Sequence, residues 1–174
     1  ESCRNNANIK IINLGSSCIY PLEAKNPLKE EYIMTGKLEP TNSPYAMAKL
    51  SAIEIGDAMR KQFGHTIINL MPTNLYGPCD NFSETESHVI PGLIYRMHKA
   101  KMLKNKSFEI WGSGNPLREF LYVDDLSKAI ELIINKNITD PILNIGSSEE
   151  ISILELAKLV KKSVNFQGEL TFDK

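Results

Sequence analysis

A chain of 174 residues, 42% of them hydrophobic and 24% charged, is long enough for one full domain or for a large part of a two-domain protein. Its 20 basic and 21 acidic side chains leave a net charge of −1, which offers no basic footprint for duplex nucleic acid or an anionic membrane surface. No apolar run approaches the roughly 20 residues that span a bilayer, so nucleic-acid-binding and membrane proteins are set aside. Cys3, Cys18 and Cys79 are an odd number with no C-x-x-C pair. That usage fits a reducing cytoplasm better than a disulfide-stapled secreted fold, and it offers no metal-ligand spacing. The opening Glu1-Ser2-Cys3-Arg4-Asn5-Asn6 has no apolar signal core and no initiator Met, which reads as the start of a piece of something longer.

Ile9 to Leu14 is a short apolar run ended by Gly15, read as a buried strand of a parallel sheet. Gly15-Ser16-Ser17-Cys18 follows as a polar loop at the strand's C-terminal end, where open α/β sheets bind ligands. Pro21 to Thr41 is rich in Pro, Lys and Glu and reads as surface loop. Ser43 as N-cap and Pro44 at the first helical position open a helix to about Phe63, stopped by Gly64. Within it Ala48, Ala52, Ile55 and Met59 repeat at helical spacing. Thr66 to Met71 is the next strand, then a long loop runs through Ser87. A helix is expected from Val89 to Leu103. Phe108–Trp111 and Glu119–Tyr122 flank Gly112-Ser113-Gly114-Asn115-Pro116 and read as a hairpin-like pair. A helix follows Asp124-Asp125, and Ile142–Ile145 is a strand. Ser152 and Glu155 form a capping box for a helix through about Val164, and a last strand begins near Glu169. Alternating strands and helices make the fold class α/β.

Tyr45 and Lys49, four residues apart, share one helix face in its first turns. A phenol is a sluggish proton donor and acceptor at neutral pH, and an ammonium beside it favours the phenolate. Tyr-x-x-x-Lys is common by chance, but here a strand-ending Ser loop lies about 30 residues earlier. Ser16, Tyr45 and Lys49 in this setting resemble the short-chain dehydrogenase family, and Tyr20-Pro21 after the Ser loop resembles its extended members. The likeness narrows to the GDP-L-fucose synthase branch in several blocks. These are Gly15–Pro21, Leu38–Asn42, Met71–Pro78, Asp80–Phe82, Ser87-His88-Val89-Ile90-Pro91, Trp111–Gly114 and Arg118–Phe120, all in the family's order. Cys18 together with Ser87–Pro91 is the most specific part.

The resemblance implies a partial Rossmann-type doubly wound parallel sheet, without its N-terminal half, over residues 1–75. It implies a smaller α/β substrate-binding domain over 76–174 that returns a strand to the sheet near 141–146. It implies reduction at C4 and inversion at C3 and C5 of GDP-4-keto-6-deoxy-D-mannose, with NADP(H) as cofactor, in a cytoplasmic homodimer packed through helices that include the Tyr45 one. Ser16 and Tyr45 would hold the C4 oxygen, and Lys49 would support Tyr45. Cys18 and His88 would serve as the acid and base, a thiol and an imidazole both being poised near neutrality. Leu14, Gly15, Ser16, Ser17, Lys49, Pro72, Thr73, Asn74, Leu75 and His88 would face the nicotinamide side of the cofactor. Arg96, Trp111 and Arg118 would meet the GDP-sugar, with Arg suited to gripping a diphosphate. No metal is implied.

Two readings compete with this one: a related reductase or epimerase for another nucleotide sugar, and a non-catalytic nucleotide-sugar-binding relative. Dehydratases of the superfamily carry an acidic residue beside the catalytic Ser or Thr, where this chain has Ser17 and Cys18. The G-x-x-G-x-x-G fingerprint of dinucleotide binding and the segment that selects NADP over NAD are nowhere in the sequence, so the chain alone is expected to be inactive.

Overall fold

The computed structural model describes Cys3, Asn5, Asn6 and residues 9–173. Glu1, Ser2, Arg4, Ala7, Asn8 and Lys174 lie outside the described residues, and with them much of the opening segment read above. In chain order the elements are β1 (Lys10–Leu14), α1 (Ser43–Phe63), β2 (Thr66–Pro72), β3 (Asn74–Tyr76), α2 (Val89–Met102), β4 (Ser107–Ile110) and β5 (Leu117–Tyr122). Then come α3 (Val123–Asn135), β6 (Ile142–Ile145), β7 (Glu150–Ser152), α4 (Ile153–Val164) and β8 (Glu169–Phe172). They fall into two compact units, Glu1–Thr73 with Asp124–Gly146, and Asn74–Val123 with Ser147–Lys174.

In the first unit the apolar runs become a parallel sheet of order β1-β2-β6. A parallel pair needs a crossover, which α1 supplies between β1 and β2. Each face of the sheet is covered. Met71 packs with Ala46, Leu50 and Ile53 of α1 on one face, and Ile68 and Leu70 pack with Ile133 of α3 on the other. Burying each such Leu or Ile contributes about 1.5–3 kcal/mol. Asn69 is a polar residue inside this apolar strand, 2% exposed. It accepts a 2.9 Å hydrogen bond from the Asn13 amide of the neighbouring strand and donates one of 3.0 Å to the Pro141 carbonyl.

In the second unit, β5 pairs parallel with β3 and antiparallel with β7, and β4 pairs parallel with β8. Leu93, Met97 and Ala100 of α2 pack with Leu156, Ala157 and Val160 of α4 around Phe108 and Ile110 of β4. The capping box of α4 is complete: the Ser152 hydroxyl accepts from the Glu155 N–H at 3.1 Å, and the Glu155 carboxylate accepts from the Ser152 N–H at 3.1 Å.

Several expectations change. The buried face of α1 is Ala46, Leu50, Ile53 and Gly56, and the stripe read in the sequence has Ala48 and Ile55 exposed. Its N-cap is Asn42, one residue before the expected Ser43, and the Asn42 side chain makes no capping bond. Glu39 braces the turn just before the helix, its carboxylate accepting the Thr41 and Asn42 N–H groups at 3.1 and 2.9 Å. The Pro21–Thr41 loop has one 3-10 turn, Glu30–Tyr32, and packs Leu28, Tyr32, Ile33 and Leu38 onto the α1 side of the core. Strand β3 lies in a segment read as loop, and β7 stands just before α4 where no element was expected. Finally, β4 and β5 do not form a hairpin. Their link gives its carbonyls to the start of α4, Leu154 N–H bonding Gly114 at 2.9 Å and Ile153 N–H bonding Pro116 at 3.1 Å. Gly114 has a φ of +74° and sits where a Cβ would meet the Phe172 ring at 2.7 Å, so the link crosses between sheets as a packed turn.

Candidate active site

The first unit assembles Leu14 to Cys18 with Tyr45 and Lys49. Strand β1 ends at Leu14 because Gly15 follows, and a Cβ at Gly15 would meet the Met71 sulfur at 2.5 Å. The chain therefore leaves the sheet pressed against β2, with the Gly15 N–H bonded to the Leu70 carbonyl at 2.8 Å. A 3-10 turn follows, Ser17–Ile19. Ser16 caps it, its hydroxyl accepting from the Cys18 N–H at 3.2 Å. Ile19 at 0% exposure and Tyr20 at 5% plug the turn into the core. The Cys18 thiol is left free and exposed.

Helix α1 brings Tyr45 and Lys49 to this strand end. The Lys49 Nζ donates to the Leu14 carbonyl at 2.8 Å and stands 5.7 Å from the centre of the Tyr45 ring. One ammonium thus ties the start of the helix, from its second turn, to the strand end that carries Ser16, and the Tyr45 ring stays half exposed. Of the run Pro72–Leu75, Pro72 and Thr73 belong to this unit and Asn74 and Leu75 to the other. The Thr73 hydroxyl is buried with no partner, and the Asn74 amide donates to the Glu119 carbonyl at 2.9 Å.

The second unit holds the remaining candidates. His88 is the N-cap of α2, yet its side chain makes no capping bond and is exposed. Two turns on, the Arg96 guanidinium lies 3.9 Å from the centre of the Trp111 ring and 5.0 Å from that of Phe108. It also donates to the Glu109 carbonyl at 2.8 Å. Burial draws the Arg96 guanidinium down from its ordinary value, and it remains a cation. Arg96 and Trp111 are thus brought together. Arg118 is engaged separately, donating to the Leu117 carbonyl at 2.7 Å from an exposed position. An open cavity of about 500 Å³ with Arg96, Lys99, Glu84 and Glu109 in its wall lies in this unit. Phe108 was missed as a partner of Arg96; alternation of buried and exposed residues along β4 marks it only as core.

Residues 1–146 match the family described as NAD dependent epimerase/dehydratase. The chain belongs to that family. Among its relatives, a GDP-L-fucose synthase from Sinorhizobium fredii (strain NBRC 101917 / NGR234) is 49% identical over 164 residues, which cover 94% of this chain and 52% of the relative. A solved GDP-L-fucose synthetase from Naegleria fowleri bound to NADP superposes with a TM-score of 0.88 at 30% identity, over 98% of this chain and 55% of that one. A GDP-mannoheptose C4 reductase from Campylobacter jejuni with NADP bound gives 0.83 at 34%, over 94% and 59%. The chain therefore spans about half the length of these family members. Among the described residues no cluster of His, Cys, Asp and Glu is placed to hold a metal, and no helix is long and apolar enough to cross a membrane.

Proposed function

We propose that the protein carrying this chain is a GDP-L-fucose synthase, an NADP(H)-dependent enzyme that inverts C3 and C5 of GDP-4-keto-6-deoxy-D-mannose and then reduces its C4 ketone. The single observation that carries the reading is the Lys49 bridge between Tyr45 and the strand end bearing Ser16 and Cys18. The names of the relatives support the substrate.

The residues present fit the nicotinamide-ribose half of the cofactor. The Thr73 hydroxyl is buried without a partner, and Lys49 spends one of its three N–H donors on Leu14. Bound NADPH would supply the hydride. Tyr45 gives a proton to the C4 oxygen, and the Ser16 hydroxyl donates to the same oxygen, which stabilises the charge that grows there when C3 or C5 loses a proton. Cys18, exposed on its turn, and His88, uncommitted at the start of α2, are the acid and base for those protons. Arg96 and Arg118 bind the diphosphate-sugar, with Trp111 fixing the plane of Arg96. Free cysteines support a reducing, cytoplasmic setting, and the exposed apolar side chains of Ala48 and Ile55 on α1 support a homodimer packed through that helix.

The C4 reductase likeness favours one other reading, a plain reductase of a different GDP-sugar. Solvent-deuterium incorporation without NADPH separates the two in the intact protein. The wild type should exchange the C3 and C5 hydrogens, and Cys18→Ser should lower that exchange about 100-fold or more. Ketone reduction by a wild type that exchanges neither position would leave the plain reductase.

A further inference from the structure

Asn144 is the one polar side chain in β6. Three segments meet on it. Its Oδ1 accepts from the Tyr20 hydroxyl at 2.5 Å, its Nδ2 donates to the Leu28 carbonyl at 2.9 Å, and its backbone N–H donates to the Glu30 carboxylate at 2.8 Å. Tyr20 directly follows the Ser17–Ile19 turn that exposes Cys18.

That turn has little holding it by itself. It is three residues long, and its backbone bonds, Ile19 N–H to Ser16 and Tyr20 N–H to Ser17, are both 3.3 Å. Short 3-10 turns with long bonds are marginal without outside support. Ile19 supplies apolar burial, which fixes depth and not orientation. The Tyr20–Asn144 bond is directional and buried, so it sets the rotation of the turn about its apolar plug. Burial pushes the Tyr20 hydroxyl up to about 12, with Glu30 adding to the rise, so the phenol stays a neutral donor at any working pH. The loop is held to the same residue, Leu28 by the Asn144 side-chain amide and Glu30 by its backbone N–H.

We propose that Tyr20 and Asn144 are positioning residues: the hydrogen bond between them, with the Leu28 contact that aims the Asn144 amide, orients the turn that carries Ser16 and Cys18 for proton transfer. The proposal rests on the functional reading above for its consequence, and the test separates the two. In the intact protein, Tyr20→Phe keeps the ring and removes only the donor, and Asn144→Ser is the second variant in case one fails to fold. Amide hydrogen exchange of residues 16–20 reads the positioning without any substrate. Its protection should fall about tenfold in either variant, the loss expected for one buried hydrogen bond, while amides of β2 stay unchanged. Deuterium exchange at C3 and C5 of the 4-keto sugar reads the consequence: kcat should fall about tenfold with KM within about twofold, since proton transfer depends on orientation more than binding does. Unchanged protection of residues 16–20, or a loosened turn with unchanged kcat well below the unfolding temperature, overturns the proposal. A wild type that exchanges no substrate hydrogens overturns the functional reading, and in that case the amide protection alone decides whether the bond orients the turn.

Discussion

Helix α4 buries Leu156, Ala157 and Val160 and closes its first turn with Ser152 and Glu155. Helix α1 buries Ala46, Leu50, Ile53 and Gly56, leaves Tyr45, Met47 and Ile55 exposed, and gains no capping bond from the side chain of its N-cap Asn42. In α4 the capping box and the buried stripe agree, and of its large apolar residues only Leu159 is exposed among the described residues. In α1 apolar residues occupy two faces, one against β2 and one away from it, Glu39 braces the residues just before the helix, and Lys49 reaches from its second turn to Leu14. The helix that departs from local rules is the one proposed to carry the chemistry, as expected where function competes with packing.

The contrast is broken most sharply at Tyr45. Tyr45→Phe in the intact protein should lower ketone reduction about 10³-fold, the size of a lost general acid, and leave nucleotide affinity and the unfolding midpoint near wild type. The residue is half exposed, so a large loss of stability would mean that α1 is a packing helix like α4. Stability of the caps comes next. Ser152→Ala should cost about 1 kcal/mol in denaturant unfolding, and Asn42→Ala less than about 0.5 kcal/mol because its side chain caps nothing. Equal costs would erase the difference between the two helix starts.

The smallest effect is on acid stability, and here the two helices should behave alike. The Ser152 hydroxyl first, then the Ser152 N–H, hold the Glu155 carboxyl below its ordinary 4.5, and the Thr41 hydroxyl and N–H do the same for Glu39. A carboxyl lowered by folding stabilises fully above its unfolded value and loses that contribution as pH falls through the folded one. The gap in thermal midpoint between wild type and Glu155→Gln, or Glu39→Gln, should therefore be widest near about pH 7 and close below about pH 4.5. A gap independent of pH would show that the carboxylate charge is not what the cap uses.

Much of the fold was legible because its signals are local. Gly64 at the end of α1, Pro91 in the first turn of α2 and the Ser152–Glu155 box each act over a few residues, and each stands where the sequence placed it. The false hairpin shows the limit. Gly112 and Gly114 do make tight turns, but which strand β4 joins is decided by β8, about 60 residues later. The stripe on α1 misled for a related reason: Ala48, Ala52, Ile55 and Met59 have a helical period, and period alone does not say which of two apolar faces meets the sheet. At the candidate site, Tyr45, Lys49 and the Ser loop were readable as a spacing, and Cys18 only through the family resemblance. The Tyr20–Asn144 bond was not, since its partners lie 124 residues apart and the trace in the sequence is a lone Asn in an apolar strand.

The Asn13–Asn69–Pro141 chain of hydrogen bonds gives the sheet an index mark. Parallel strands that are apolar on both faces carry little alternation to define their alignment, and Ile11-Ile12 could slide along Ile67-Ile68 at small apolar cost. Asn13 faces Asn69 in the native pairing, and a slip of one residue would set it against Ile68 or Leu70 on the opposite face. The buried Asn69 Oδ1 would then lose its Asn13 donor, at about 1–3 kcal/mol. Such a slip is also a step of about 3.3 Å along the strand, longer than a proton-transfer contact can absorb. Ser16 and Cys18 follow Asn13 by three and five residues. Two amides deep in the sheet therefore set the height at which the hydroxyl and the thiol emerge.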